Sequence, residues 1–129
     1  MQTHANTVYR NATLFTAENE AVITDGALWV NNGIIRYAGP TAGLPDTPAD
    51  TTFNDLNGHF LMPGMTETHA HLSFADASPF AIGATPVEQA TITAVGNAKL
   101  MLNAGFTAAI SFGSTYKIDV ALRTAINAG

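Results

Sequence analysis

Short apolar runs broken by turn-forming residues fill the first half of the chain. Stripes with helical spacing fill most of the second half. Residues 8–15, 27–30 and 34–38 each read as strands. The last two flank Asn31, Asn32 and Gly33, which tolerate positive φ, so they are expected to close a β-hairpin. Residues 40–50 hold Pro40, Gly43, Pro45 and Pro48 and read as a loop. A further strand is expected over 52–61, interrupted at Gly58.

From Met65 the pattern changes. Residues 65–71 suit an extended segment, followed by a polar loop reaching Thr85. There Thr85, Pro86 and Glu88 spell a helix start, with Thr85 as N-cap, Pro86 at the first helical position and Glu88 closing a capping box. Val87, Ala90, Ala94, Ala98 and Met101 recur at steps of three or four, which draws one apolar stripe along a helix over 86–103. Gly105 falls where that stripe stops and is expected to cap it with a positive φ. Residues 106–112 form a short apolar run suited to a strand buried on both faces. Ile118, Leu122, Ala125 and Ile126 mark a second helix ending at Gly129. Strand, helix, strand, helix in this order predicts an α/β architecture with a parallel sheet: two βα units over 62–129 behind a small β layer over 1–61.

Composition narrows the function classes. With 12% charged residues, a net charge of -5 and Arg10, Arg36, Lys99, Lys117 and Arg123 scattered, nothing offers the basic patch that nucleic acid or an anionic membrane requires. The absence of cysteine excludes a disulfide framework, a thiol nucleophile and thiolate metal sites, so any metal ion must bind through imidazole and carboxylate. The first fifteen residues lack the apolar run of a signal peptide, and no stretch approaches the ~20 apolar residues of a membrane span. The chain therefore reads as soluble and cytoplasmic.

Within this frame His69 and His71 are the candidate metal ligands. Residues i and i+2 of a strand share a face about 6.6 Å apart at Cα, so two imidazoles there can converge on one divalent ion. Glu67, two residues earlier, shares that face and is placed to orient a ligand or support the interior. The spacing alone is equally met by two structural histidines. His4, in the N-terminal tail, and His59, beside Gly58, have no second donor at useful spacing and read as solvated or structural.

The run LNGHFLMPGMTETHAH, residues 56–71, resembles the entry of amidohydrolase superfamily enzymes, where a small β layer leads through Pro-Gly and an acidic residue into a His-x-His on the first barrel strand. Pro63, Gly64, Glu67, His69 and His71 match in order and spacing, with Glu67 where the family more often has Asp. DGALWVNNGIIRYAGP, residues 25–40, is similar to the family's N-terminal hairpin, and LNAGFTAAISFGS, residues 102–114, looks like its second barrel strand. The fit is best with imidazolonepropionase-like and prolidase-like members, although Ile110 and Ser111 replace their usual Arg-Asp after that strand.

The resemblance implies the first two βα units of a (β/α)₈ TIM-like barrel preceded by part of a small β-sandwich. It further implies one or two divalent ions, zinc foremost, with His69 and His71 as the first two ligands. In the family an activated water attacks the carbonyl of a carbon–nitrogen bond, and the later ligands and the general base would lie beyond residue 129. A complete barrel needs about 250 residues. The expected partners are therefore a small-molecule substrate and the remainder of the barrel, as another chain or segment, in a homo-oligomer. Two other functions stay open on sequence: a deaminase using the same chemistry, and a non-catalytic assembly module with incidental histidines.

Overall fold

The computed structural model describes residues 6–75 and 78–129; His4 lies outside the described residues. The chain divides into two compact units, one ending at Pro63 and the other running Gly64–Gly129.

The first unit is a five-stranded sheet. β1 (Thr7–Leu14), β2 (Ile23–Asn31) and β3 (Ile34–Pro40) pair antiparallel in the order β3-β2-β1. β4 (Thr52–Asp55) and β5 (Phe60–Leu61) both pair parallel with β1, at its start and its end respectively. The expected hairpin is present: Asn31 and Ile34 face each other, and Asn32 and Gly33 at φ 49 and 75 make the two-residue turn. That pair of positive φ values matches the right-handed strand twist, which explains Asn-Gly there. The expected interruption at Gly58 is also present, where Asn57 and Gly58 turn at φ 49 and 78 and split the predicted strand into β4 and β5. Val8, Ala12, Leu14 and Ala27 form the buried centre of this unit.

The second unit carries two parallel strands, β6 (Met65–Ala70) and β7 (Phe106–Ser111), as the sequence predicts. Its helices are α1 (Pro79–Ala84), α2 (Val87–Asn103) and α3 (Ile118–Ala128). Ala90 and Ala94 on α2 are buried against Ile118 at the start of α3, with Leu72 and Leu122 packed on them. Their small side chains let the two helices approach. Gly105 takes φ +91 just past α2, as expected, and its N–H donates to the Leu102 carbonyl. Gly105→Val is expected to destabilise the unit by more than about 1 kcal/mol, since a β-branched residue resists that conformation. Its added Cβ would also touch Met65 Cε at 3.4 Å. Urea unfolding measures this, and an unchanged midpoint would remove the cap assignment.

Three expectations are corrected. The segment before Thr85 is not all loop, because Ser78 caps the short helix α1 by accepting from the Ala81 N–H at 3.4 Å, with a proline opening the helix. Ser-Pro there is the same start signal as Thr-Pro at 85–86. Thr85 consequently does not cap α2: its hydroxyl donates to the Ala81 carbonyl of α1 at 3.0 Å, and Pro86, with ψ 144, precedes the helix rather than opening it. Finally, β7 is not buried on both faces within this chain. Within β7 only Phe106 is half-buried, while Ile110 and the neighbouring Phe112 are 52% and 57% exposed, because among the described residues β7 has β6 as its one strand neighbour. Among the described residues no helix is long and apolar enough to cross a membrane.

Candidate functional site

His69 and His71 lie at the C-terminal end of β6, one within the strand and one just past it, flanking the buried Ala70. Their ring centroids are 5.2 Å apart with planes inclined at 66°. Two imidazoles bound to one tetrahedral ion, each ring centre about 3.2 Å from it, would sit about 5.2 Å apart, so the observed spacing suits a shared divalent cation.

Each ring is held from outside the strand. The Phe112 ring, just beyond β7, stacks on His69 at 4.1 Å and 11°. The Phe74 ring stacks on His71 at 4.6 Å and 2°. Phe74 is itself fixed by α2, because Asn97 Nδ2 donates to the carbonyls of Leu72 at 2.8 Å and Phe74 at 3.0 Å. His71 Nδ1 lies 3.0 Å from the Gly113 carbonyl. A carbonyl only accepts, so Nδ1 carries a proton, and in the neutral ring the lone pair is then on Nε2, the form in which histidine ligates metals. The Glu67 carboxylate accepts the His69 backbone N–H at 2.9 Å, so it acts on the backbone of His69 rather than on its ring.

Sequence reasoning missed Phe74, Asn97, Phe112 and Gly113. Phe74 and Asn97 carry no motif, and nothing in the run 102–114 singles out Phe112 or Gly113; their roles come from loop geometry that brings residues up to 43 positions apart side by side. The other described histidine, His59, is exposed, and its ring Nδ1 lies 2.6 Å from the Leu56 carbonyl in the turn before β5.

Below the β7 end, the Asp119 carboxylate accepts from the hydroxyls of Ser114 and, at 2.8 Å, Ser111. These two hydroxyls, Ser114 foremost, hold its pKa below the ordinary 3.8. A depressed carboxylate stabilises the fold fully above its unfolded pKa and loses that contribution as pH falls through the folded value. Stability is therefore expected to drop on acidification from about pH 5 downward, less steeply in Asp119→Asn. Urea midpoints against pH measure it, and parallel curves for the two proteins would remove Asp119 as a contributor.

Among the described residues no group of three or more His, Cys, Asp or Glu side chains could hold a metal ion. The two imidazoles thus fit part of a donor set, and a tetrahedral zinc site would require further ligands. A cleft of about 310 Å³ opens beside them, lined by Glu67, His69, His71, Asn97 and Met101 among others.

No protein-family model matches the chain. It is 37% identical over 68 residues to the imidazolonepropionase of Paracoccus denitrificans, a match covering 50% of this chain and 17% of that protein. Among solved structures it is similar to a Xaa-Pro dipeptidase with methionine bound in its active site, at TM-score 0.78 and 22% identity, over 96% of this chain and 30% of that one. A second, a putative prolidase from Bifidobacterium longum, gives 0.74 and 24%, over 98% of this chain and 28% of that one. The chain thus spans less than a fifth of that curated relative and under a third of these structures.

Proposed function

We propose that this chain, a relative of the amidohydrolase superfamily, supplies His69 and His71 as the first two metal ligands of a (β/α)₈-barrel enzyme that hydrolyses a carbon–nitrogen bond. The observation that carries the reading is the 5.2 Å pairing of the two rings, with the His71 Nε2 lone pair left free by the Gly113 carbonyl. A divalent ion, zinc foremost, supplies Lewis acidity there: it lowers the pKa of water and polarises a carbonyl oxygen. The chain's own contribution is to fix two imidazoles at the C-terminal mouth of a parallel strand, where the active sites of barrel enzymes gather. Glu67, accepting the His69 N–H, holds the backbone that leads into His69.

The exposed apolar surface supports a barrel completed by further polypeptide. Leu100, Leu102, Ile110, Phe112 and Ile126 are all more than half exposed, and among the described residues β6 and β7 pair only with each other. In a (β/α)₈ barrel the neighbouring strands and helices cover such edges and faces. The general base and remaining ligands belong to that further polypeptide. By analogy with the imidazolonepropionase relatives and prolidase-like neighbours, the substrate class is a cyclic amide or an Xaa-Pro dipeptide.

The test uses the enzyme assembled with its remaining barrel, assayed for metal content and for hydrolysis of Xaa-Pro dipeptides and imidazolone-type cyclic amides. About one zinc or more per barrel is expected, with turnover lost to chelator and restored by Zn²⁺. A fully folded, metal-free assembly without hydrolysis would instead identify a non-catalytic module.

A further inference from the structure

The turn after β7 touches both histidines at once, and its own shape is set from α3. Ser111 and Ser114 bracket Phe112 and Gly113, and both hydroxyls donate to the Asp119 carboxylate in the first turn of α3. The Asp119 N–H donates in return to Ser114 Oγ at 3.1 Å, and the Gly113 N–H lies 3.3 Å from Ser111 Oγ. Gly113 adopts φ +119, a region that L side chains rarely enter, and no atom lies within 4 Å of where its Cβ would be. Its conformation, rather than crowding, is what requires glycine.

We infer that the 111–114 turn, clasped by Asp119, is the positioning device of the histidine pair: Phe112 holds the His69 ring by stacking, and the Gly113 carbonyl holds His71 as its Nδ1–H tautomer with Nε2 presented to a ligand. The inference rests on the metal reading above for its purpose, but not for its geometry. Isolated imidazole side chains favour the Nε2–H form, so the Gly113 carbonyl reverses the intrinsic preference. A carbonyl partner on the second ring nitrogen is the usual way proteins orient a metal-ligating histidine. Here the partner's position depends on a carboxylate six residues further along, reached through two serines. Asp119, Ser111 and Ser114 therefore act through the turn and touch no substrate.

The test is long-range ¹H–¹⁵N spectroscopy of the full chain with ¹⁵N-labelled histidine, first without metal and then titrated with Zn²⁺. Wild-type His71 is expected as the Nδ1–H tautomer, and the His69 ring protons are expected to be shifted upfield by the Phe112 ring. Asp119→Ala and Gly113→Ala should return His71 toward the Nε2–H form, reduce the His69 shift and weaken Zn²⁺ binding by about 10- to 100-fold, the range for losing an outer partner of a metal ligand. Asp119→Asn keeps one acceptor oxygen and should fall between; it replaces Asp119→Ala if the latter fails to fold by circular dichroism. Phe112→Leu should abolish the His69 shift while leaving the His71 tautomer in place. An Nε2–H His71 in the wild type, or spectra unchanged by the Asp119 and Gly113 substitutions, overturns the inference. The two readings separate cleanly. An Nδ1–H His71 without Zn²⁺ binding preserves the positioning turn and removes the metal, whereas Zn²⁺ bound with an Nε2–H His71 in the free protein does the reverse.

Discussion

His69→Ala or His71→Ala is expected to cut hydrolysis by the assembled enzyme by well over a hundredfold and to leave the fold of the chain nearly unchanged. The size follows from the proposed role: losing an outer-shell partner of a ligand costs about 10- to 100-fold, so losing a ligand itself must cost more. The fold should survive because His69 is exposed and His71 only half-buried, and neither belongs to the buried cluster of Ala90, Ala94 and Ile118. The His71 variant forfeits the bond to Gly113, a ring stack on Phe74 and the edge contact with His69. His59→Ala, which removes a ring bonded to the Leu56 carbonyl of its own turn, should leave turnover near wild type. Turnover and zinc content measured together decide the matter. A double His69→Ala, His71→Ala enzyme retaining stoichiometric zinc and normal rates would end the ligand assignment.

Gly64→Ala is expected to destabilise the second unit by about 3 kcal/mol, toward the upper end of the usual overpacking range. A Cβ on Gly64 would lie 2.2 Å from Thr107 Oγ1, 2.3 Å from its Cγ2 and 2.7 Å from its Cβ. Because the clash reaches the Thr107 Cβ, rotating that side chain cannot relieve it, and β6 would have to move from β7. The double variant Gly64→Ala, Thr107→Gly should recover much of the loss, which separates crowding from any backbone effect at Gly64. Urea denaturation of the two single variants and the double supplies the cycle. Additive losses, or a neutral Gly64→Ala, would show that the close approach does not matter. The same packing gives a physical reason for glycine at position 64: the chain entering β6 passes too near Thr107 for any side chain.

Much of this was legible in the sequence because it depends on local chemistry. Asn32-Gly33 closes its hairpin and Gly105 takes its positive φ because few residues tolerate those conformations, and such restrictions act whatever lies around them. The apolar stripe of α2 and the short runs of β6 and β7 carry their periods in the chain itself, so two βα units could be read directly. His-x-His on a strand fixed that two imidazoles stand near each other. Errors arose where two local signals competed. Thr85-Pro86 reads as a helix start, but Ser78 opens α1 first, and the Thr85 hydroxyl is used at that helix's end. For Glu67 the sequence leaves two roles open, orienting a ligand or supporting the interior, and the structure shows its carboxylate accepting the His69 backbone N–H.

The remaining features came only from tertiary structure. The spacing of His69 and His71 says nothing about which nitrogen bears a proton; that is decided by Gly113, 42 residues later, whose carbonyl is aimed by a turn tied to Asp119. Likewise, the apolar run at 106–112 determined that β7 is built to be covered, but whether it is covered depends on what packs against it. Within this chain Ile110 and Phe112 stay exposed. Propensity and periodicity are properties of neighbouring residues and survive in a linear reading. Tautomer, ring orientation and burial are set by groups far apart in sequence, and they exist only once the chain has brought those groups together.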